Sequence, residues 1–350
     1  MSSLESSAVV VFRLDVTKAI GSGHAMRCIA IAQAVEALGG KTRFAVSSQD
    51  SAEFLSHQGR SADILPGGTC SLGVSDADVL VKYCKQVDAA ALFIDTYAVT
   101  DSLFVRLAEK KPSGLLMTYL DDLYTFQLGN LTKPHAFPVD LVLNYSFYAN
   151  EDDYRSAYQG DTELLIGSGF APLRQEYTRG LSGKALKNDV DRILVTTGST
   201  NPDSILERMV LLAHRVFKKA EIDVVVGADA HYSGLRGVGV NVLSSQKTLY
   251  KLMKECDICL SAAGSTLYEL SAMSVPTLAI VIAPNQLQNA RAFEKMRLGH
   301  ACSMHDPDEE IIDKLEDLAL LEVRNDFVSN MHSIIDGNGS RKVAAKLLGV

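Results

Sequence analysis

The sequence predicts an α/β chain of two doubly wound, Rossmann-like parallel-sheet domains facing a shared cleft. Three observations predict it. Apolar runs of strand length alternate with amphipathic helical stretches. The alternation lapses in one polar stretch and then restarts. In both halves, glycine-containing loops follow strand ends. A chain of 350 residues suits about two domains.

Val9–Leu14 is an apolar run that reads as a fully buried strand. The helix predicted over Ala25–Leu38 carries Cys28, Ile31, Val35 and Leu38 on one face, and Gly39-Gly40 closes it. Further strands are predicted at Thr42–Val46, Ala62–Leu65, Ala91–Ile94, Gly114–Leu120 and Leu141–Asn144. Helices fall around Ser51–Gln58, Asp76–Gln86 and Asp101–Lys110. Apolar strands joined by helices mean a parallel sheet covered on both faces.

Asn150–Asp191 is polar and weakly periodic, so the boundary is placed within it, giving domains 1–160 and 161–350. The second half predicts strands at Ile193–Thr197, Asp223–Val226, Ile258–Ser261 and Thr277–Ile282. Helices are predicted at Ser204–Lys219, Thr248–Lys254 and Thr266–Met273. Beyond them, Asp306, Asp308, Glu309 and Glu310 read as a solvated charge run.

Composition narrows the function classes. Hydrophobic residues make up 47% and charged residues 22%, which excludes a disordered chain, a coiled coil and a collagen-like repeat. A net charge of −8 gives nucleic acid or an anionic membrane surface no electrostatic reason to bind. The longest apolar run, Thr277–Ala283, is far short of the roughly 20 residues of a membrane helix. Met1–Ser7 is polar and leads directly into a strand, so no signal peptide is read and a cytoplasmic address is expected.

The six cysteines read as reduced thiols. Cys256 and Cys259 form a lone C-x-x-C with no second pair at zinc spacing, and the alternation of His300, Cys302 and His305 is explained by a short edge strand. No metal and no cofactor are expected.

The loops after strands carry the chemistry. Asp15–His24 ends in Gly21-x-Gly23-His24, where glycines admit a close ligand and the helix start offers unpaired N–H groups to an anion. The dipole at that position favours a neutral His24 imidazole able to accept a proton. Asp95, Thr96 and Tyr97 follow one strand, and Asp121 and Asp122 another; such carboxylates serve as bases, as sugar-hydroxyl ligands or as helix caps. In the second half the loops are Gly198–Asp203 and Ala262–Thr266, with Glu269 one turn into the following helix. Asn285 and Gln286 follow the last strand. A glycine loop in each domain suggests a nucleoside diphosphate bearing a polyhydroxylated group.

These residues carry a resemblance. Arg13-x-Asp15 with Ile20-Gly21-x-Gly23-His24-x-x-Arg27-Cys28 resembles the opening motif of the UDP-2,4-diacetamido-2,4,6-trideoxy-β-L-altropyranose hydrolases of pseudaminic acid biosynthesis. Ile94-Asp95-x-Tyr97, Leu120-Asp121-Asp122-Leu123, Asp140–Asn144 and Leu165–Glu176 also match. So do Ser261–Thr266 with Glu269, Val275-Pro276-Thr277 and Asn285-Gln286. The chain departs from the family at Gly198-Ser199-Thr200-Asn201-Pro202, where Gly-Gly-x-Asp-Pro is usual.

The resemblance implies a GT-B-like architecture in which the last helices return to the first domain. It implies catalysis by His24, with Gly21 and Gly23 near the diphosphate or sugar. Ala263, Gly264, Ser265 and Thr266 would hold the diphosphate, Glu269 the ribose, and Asn285 and Gln286 the sugar end. Arg13, Asp15, Arg27, Tyr97, Asp122 and Gly198 complete the expected substrate-binding set. The implied reaction releases UDP and a free sugar from a UDP-sugar. Two other readings use the same residues: a GT-B glycosyltransferase with a UDP-sugar donor, and a non-catalytic nucleotide-sugar binding protein. The oligomeric state is left open.

Overall fold

The computed structural model describes residues 7–16, 22–68, 71–124, 136–158, 160–178, 185–198, 203–227, 232, 234, 239–244, 246 and 248–350. Gly21 and the Ser199–Pro202 departure lie outside the described residues. The chain divides into two units, Met1–Gln175 with Asn338–Val350, and Glu176–Gly337.

The first unit contains β1 (Val9–Leu14), α1 (Gly23–Ala37), β2 (Lys41–Val46), α2 (Gln49–His57), β3 (Ala62–Ile64), α3 (Val74–Gln86) and β4 (Ala89–Asp95). It continues through α4 (Asp101–Lys110), β5 (Leu116–Leu120), β6 (Leu141–Asn144), α5 (Glu151–Ala157) and β7 (Glu163–Ile166). The strands form one parallel sheet in the order β3-β2-β1-β4-β5-β6-β7. The chain winds outward from β1 in one direction and from β4 in the other. The loops after these two strands therefore diverge, and their carboxyl ends are where an α/β sheet opens to a ligand. At the centre of this sheet Phe12 packs on Phe44 and Phe93, each ring 5.4 Å away, which aligns β1 with both neighbours. Gly39, with φ of +90°, closes α1 in the left-handed conformation.

A short α6 (Gln175–Thr178) leads into the second unit. There β8 (Arg192–Thr196), α7 (Asp203–Val216), β9 (Glu221–Val226), β10 (Val240–Ser244), α8 (Tyr250–Glu255) and β11 (Ile258–Ala262) come first. α9 (Thr266–Ala272), β12 (Thr277–Val281), α10 (Leu287–Lys295), β13 (His300–Ser303), α11 (Asp308–Ala319) and α12 (Leu321–Ile334) follow. The parallel order is β10-β9-β8-β11-β12-β13, with its own reversal between β8 and β11. Its core gathers Ile193, Val195, Ile222, Val224, Ile258, Leu260, Leu278 and Ile280.

The last helix, α13 (Gly339–Leu348), packs on α1 of the first unit. Ser340 Oγ donates to the Leu173 carbonyl at 2.8 Å, and Lys346 pairs with Glu163 at 2.5 Å. A Cβ at position 339 would lie 2.2 Å from the Ala171 carbonyl oxygen, so only glycine permits this contact.

One sequence expectation, the 160/161 division, is corrected. α5 and β7 lie within the polar stretch 150–191, and β7 pairs with β6 as the edge of the first sheet. The division accordingly falls at Gln175/Glu176 instead of 160/161. The acidic run after residue 306 is solvated as expected: Asp308, Glu309 and Glu310 are exposed in the first turn of α11, where carboxylates favour a helix N-terminus, while Ile311, Leu315 and Leu318 beyond them are buried.

Candidate functional site

In the first unit the reversal between β1 and β4 sets two side chains face to face. His24 is the second residue of α1, directly after the β1 loop, and Asp95 ends β4. His24 Nδ1 lies 2.5 Å from Asp95 Oδ1, and the two residues are 3% and 0% exposed. Burial by itself would raise the Asp95 pKa. Arg27 and His24 overcome it and hold the carboxyl well below the usual carboxylate range. An ionised carboxylate only accepts, so Nδ1 carries the hydrogen toward Asp95, and in the singly protonated ring Nε2 is the acceptor.

Arg27, one turn along α1, meets the same carboxylate. Its Nε donates to Asp95 Oδ2 at 2.6 Å and its Nη2 to Oδ1 at 2.5 Å, a bidentate fork. Nη1 reaches Asp122 Oδ2 at 2.5 Å and the Tyr145 hydroxyl at 3.1 Å. Burial opposes the charge on Arg27, yet Asp122 and Asp95 outweigh it and raise its pKa well above the ordinary value. Cys28 Sγ adds a weak donor to Asp95 at 3.4 Å, and burial pushes that thiol up. Tyr97 closes the circuit: its hydroxyl donates to Asp122 Oδ2 at 3.2 Å, and its ring meets the His24 ring edge-on at 4.5 Å. Burial, and then Asp122, raise the Tyr97 phenol well above its ordinary range, while burial pushes Tyr145 up to about 12.

A second group of tyrosines holds the Asp121-Asp122 loop. Tyr148 donates to the Asp122 carbonyl at 2.6 Å and Tyr154 to the Asp121 carbonyl at 2.7 Å. Tyr124, at a φ of +53°, stacks on Tyr148. A bulky residue in the left-handed region is strained and is kept there by its surroundings.

Arg13 and Asp15 sit beside this network and are committed to the frame. They pair at 2.7 Å, both buried. Asp15 Oδ1 accepts from Ser47 N at 2.7 Å, and Arg13 donates to Ser47 Oγ and to the Leu14 carbonyl. They tie together the loops after β1 and β2. Gly23 has an ordinary φ, and a Cβ there would meet nothing within 4 Å among the described residues, so the fold itself does not demand glycine.

In the second unit, Gly198, Ala263–Thr266 and Asn285-Gln286 follow three adjacent strands, β8, β11 and β12. Gly198 has a φ of +74° and donates its N–H to Thr196 Oγ1 at 3.3 Å. Ala263 extends the ladder, its N–H donating to the Ile280 carbonyl at 2.9 Å. The N–H groups of Ser265 and Thr266 precede the first intrahelical bonds of α9 and find no acceptor within that helix. The Ser265 side chain is exposed and does not cap the helix. Glu269 is half-buried one turn further on.

Gln286 turns back on this loop, accepting from Ile282 N at 3.0 Å, with its Nε2 lying 3.9 Å from where a Gly264 Cβ would be. Asn285 is exposed. As at Gly23, neither φ nor crowding explains glycine at 264.

The structure thus brings His24, Arg27, Tyr97 and Asp122 together in one unit. It gathers Gly198, Ala263–Thr266, Glu269, Asn285 and Gln286 at one sheet end of the other. Sequence reasoning left Asp95, Tyr145 and Asn289 out of the site set. Asp95 and Tyr145 do carry a signal, each standing at the carboxyl end of an apolar strand. Asn289 has none locally: it is buried on α10, donating to the Ala263 carbonyl at 3.3 Å and accepting from Tyr268 at 2.8 Å.

The remaining motifs are placed too. His300 Nε2 bonds Asp317 at 2.8 Å on edge strand β13, and Cys259 is a buried thiol pushed up by burial. Among the described residues, no group of three or more His, Cys, Asp or Glu could hold a metal ion. No helix among them is long and apolar enough to cross a membrane.

No family model matches the chain. It is 23% identical over 282 residues to the pseudaminic acid cytidylyltransferase and UDP-2,4-diacetamido-2,4,6-trideoxy-β-L-altropyranose hydrolase of Helicobacter pylori, covering 79% of this chain and 45% of that protein. It is 24% identical over 201 residues to the spore coat polysaccharide biosynthesis protein SpsG of Bacillus subtilis, covering 54% and 57%. The chain therefore spans about half the length of the curated relatives it matches.

Among solved structures, the calicheamicin glycosyltransferase CalG4 aligns with a TM-score of 0.66 at 13% identity, over 98% of both chains. The glycosyltransferase SnogD of Streptomyces nogalater aligns at 0.59 and 16% identity, over 98% and 99%. The fold is the two-domain, Rossmann-like GT-B fold of glycosyltransferases.

Proposed function

We propose that this chain hydrolyses the anomeric C–O bond of a UDP-linked diacetamido-trideoxy hexose, releasing UDP and the free sugar on the way to a nonulosonic acid of the pseudaminic type. The observation that carries the reading is the His24–Asp95 pair. A carboxylate that holds Nδ1–H leaves Nε2 as the basic nitrogen of the ring, the arrangement that activates a hydroxyl or a water. The Helicobacter pylori relative, named for such a hydrolase, supports the choice of substrate.

In this mechanism Nε2 takes a proton from water as its oxygen bonds to the anomeric carbon. The C–O electron pair leaves with the β-phosphate. Asp95 stabilises the imidazolium that forms, and UDP, a weak base, departs without a proton donor. The N–H groups of Ser265 and Thr266 meet the diphosphate charge, and Glu269 accepts from the ribose hydroxyls. Gly23 and Gly264, glycines that no described neighbour requires, admit the ligand close to the backbone. A UDP-sugar is the small-molecule partner, and neither a cofactor nor a metal enters any step.

The pair would activate an acceptor hydroxyl by the same chemistry, and glycosyltransferases share the fold. Incubation with a panel of UDP-sugars, with and without added alcohols and sugars, separates the readings. UDP release that is independent of acceptor supports the hydrolase. Release only with an acceptor supports a transferase, and binding without turnover, unchanged by His24→Ala, supports a binding protein.

A further inference from the structure

We propose that Arg27 is a positioning residue that keeps His24 a neutral, oriented base, instead of a ligand for the substrate's phosphates. The inference rests on His24 as the base. Four of the five guanidinium N–H groups are taken up within the network: two by Asp95, one by Asp122 and one by Tyr145. The residue is only 7% exposed, which leaves no open face for an anion.

The geometry gives Arg27 two effects on His24. The first is mechanical. The fork fixes both Asp95 oxygens, so the oxygen that receives Nδ1–H cannot rotate away. The second is electrostatic. Nη2 lies 3.1 Å from His24 Nδ1, and a cation there disfavours a second positive charge on the imidazole while neutralising much of Asp95. Among the described residues, the groups facing His24 are Asp95 and Tyr97 from the end of β4 and Arg27 from α1, with Cys28 against Asp95 and with Asp122 and Tyr145 behind Arg27. Among the described residues, Arg27 is the cationic side chain in this circuit. Without it, two carboxylates would draw a proton onto the ring and silence the base.

Two substitutions separate the effects. Arg27→Lys keeps the charge but loses the fork. It should lower kcat by about 10²-fold through misalignment, with KM little changed and the acid limb of the kcat profile in place. Arg27→Gln removes the charge, and the acid limb should move up by about one pH unit.

Long-range ¹H–¹⁵N spectra of the histidine rings, with His24 assigned by its loss in His24→Gln, read the same states without any substrate. They therefore decide the matter even if the wild-type chain releases no UDP. Wild type should show a neutral Nδ1–H ring at pH 7, Arg27→Gln a cationic ring, and Arg27→Lys a neutral ring with a weakened Nδ1–H bond. Arg27→Gln strands the buried Asp95 and the partly buried Asp122; should it not fold, Arg27→Lys alone decides. Wild-type kcat in Arg27→Lys with an unmoved Nδ1 proton overturns the proposal, as does an Arg27→Gln ring that titrates like wild type.

Discussion

The imidazole of His24 and the carboxylate of Asp95, 71 residues apart in sequence, meet at 2.5 Å because β1 and β4 are neighbours at the reversal of the first sheet. The pair is buried, and the carboxylate is held ionised by Arg27 from one side and His24 from the other. Neither residue has to reorganise to hold the ring as Nδ1–H.

His24→Ala should lower kcat by roughly 10²–10⁴-fold with a modest change in KM, the range of general-base catalysis. Asp95→Asn should fall in the same range, because an amide can present N–H to Nδ1 and reverse the tautomer. The double variant should be little worse than either alone, since the two act as a unit. Steady-state assays of UDP release check all three, and full activity in His24→Ala would remove His24 from the mechanism.

The strands at the centre of both sheets were legible because they are short, unbroken apolar runs. β7 was not: it is an edge strand of four residues with one fully buried side chain, and such a strand has little hydrophobic signal. α11 read as charge because its first turn is acidic, although Ile311, Leu315 and Leu318 recur at helical spacing.

At the site, His24 stood out by its place after a glycine loop. Asp95 was visible only as one of several strand-end carboxylates, since pairing across 71 residues is set by strand order, which no local pattern encodes. Arg27 entered the expected substrate-binding set only through the resemblance. Its position three residues after His24 on one helix face was the clue that the two share a partner.

Glu269 stands one turn into α9, and the proposed mechanism gives it the ribose hydroxyls. Glu269→Ala should weaken UDP binding by about 1.5–3 kcal/mol, the worth of a hydrogen bond to a charged group. Calorimetry with UDP measures it. Unchanged affinity with lost turnover would make Glu269 part of the chemistry.

Two glycines should behave oppositely. Gly339→Ala drives a methyl into the backbone of Phe170 and Ala171 and should cost about 1–3 kcal/mol of first-unit stability. Gly23→Ala meets no described atom and should leave thermal unfolding nearly unmoved while weakening substrate binding. Melting curves beside KM values test the contrast. A large loss of stability at Gly23 would make it a structural glycine.

Stability in acid should carry a mark of Glu294. His300, Lys314 and the Ala301 N–H hold its pKa at about 2, below the ordinary 4.5. A lowered folded value means that its contribution is complete above about 4.5 and fades as pH falls toward 2. Glu294→Gln should therefore narrow the gap to wild type between pH 5 and pH 2. Half-exposure keeps the effect within about 1 kcal/mol. A gap that widens in acid would reverse the assignment.

The central claim is that water, activated by His24, attacks the anomeric carbon. Turnover of a UDP-sugar in ¹⁸O-labelled water, with both products read by mass spectrometry and EDTA present in a parallel reaction, tests it most directly. The account expects the label in the released sugar, none in UDP, and a rate that EDTA leaves largely intact. Label in a phosphate product, or activity abolished by chelation, would contradict it.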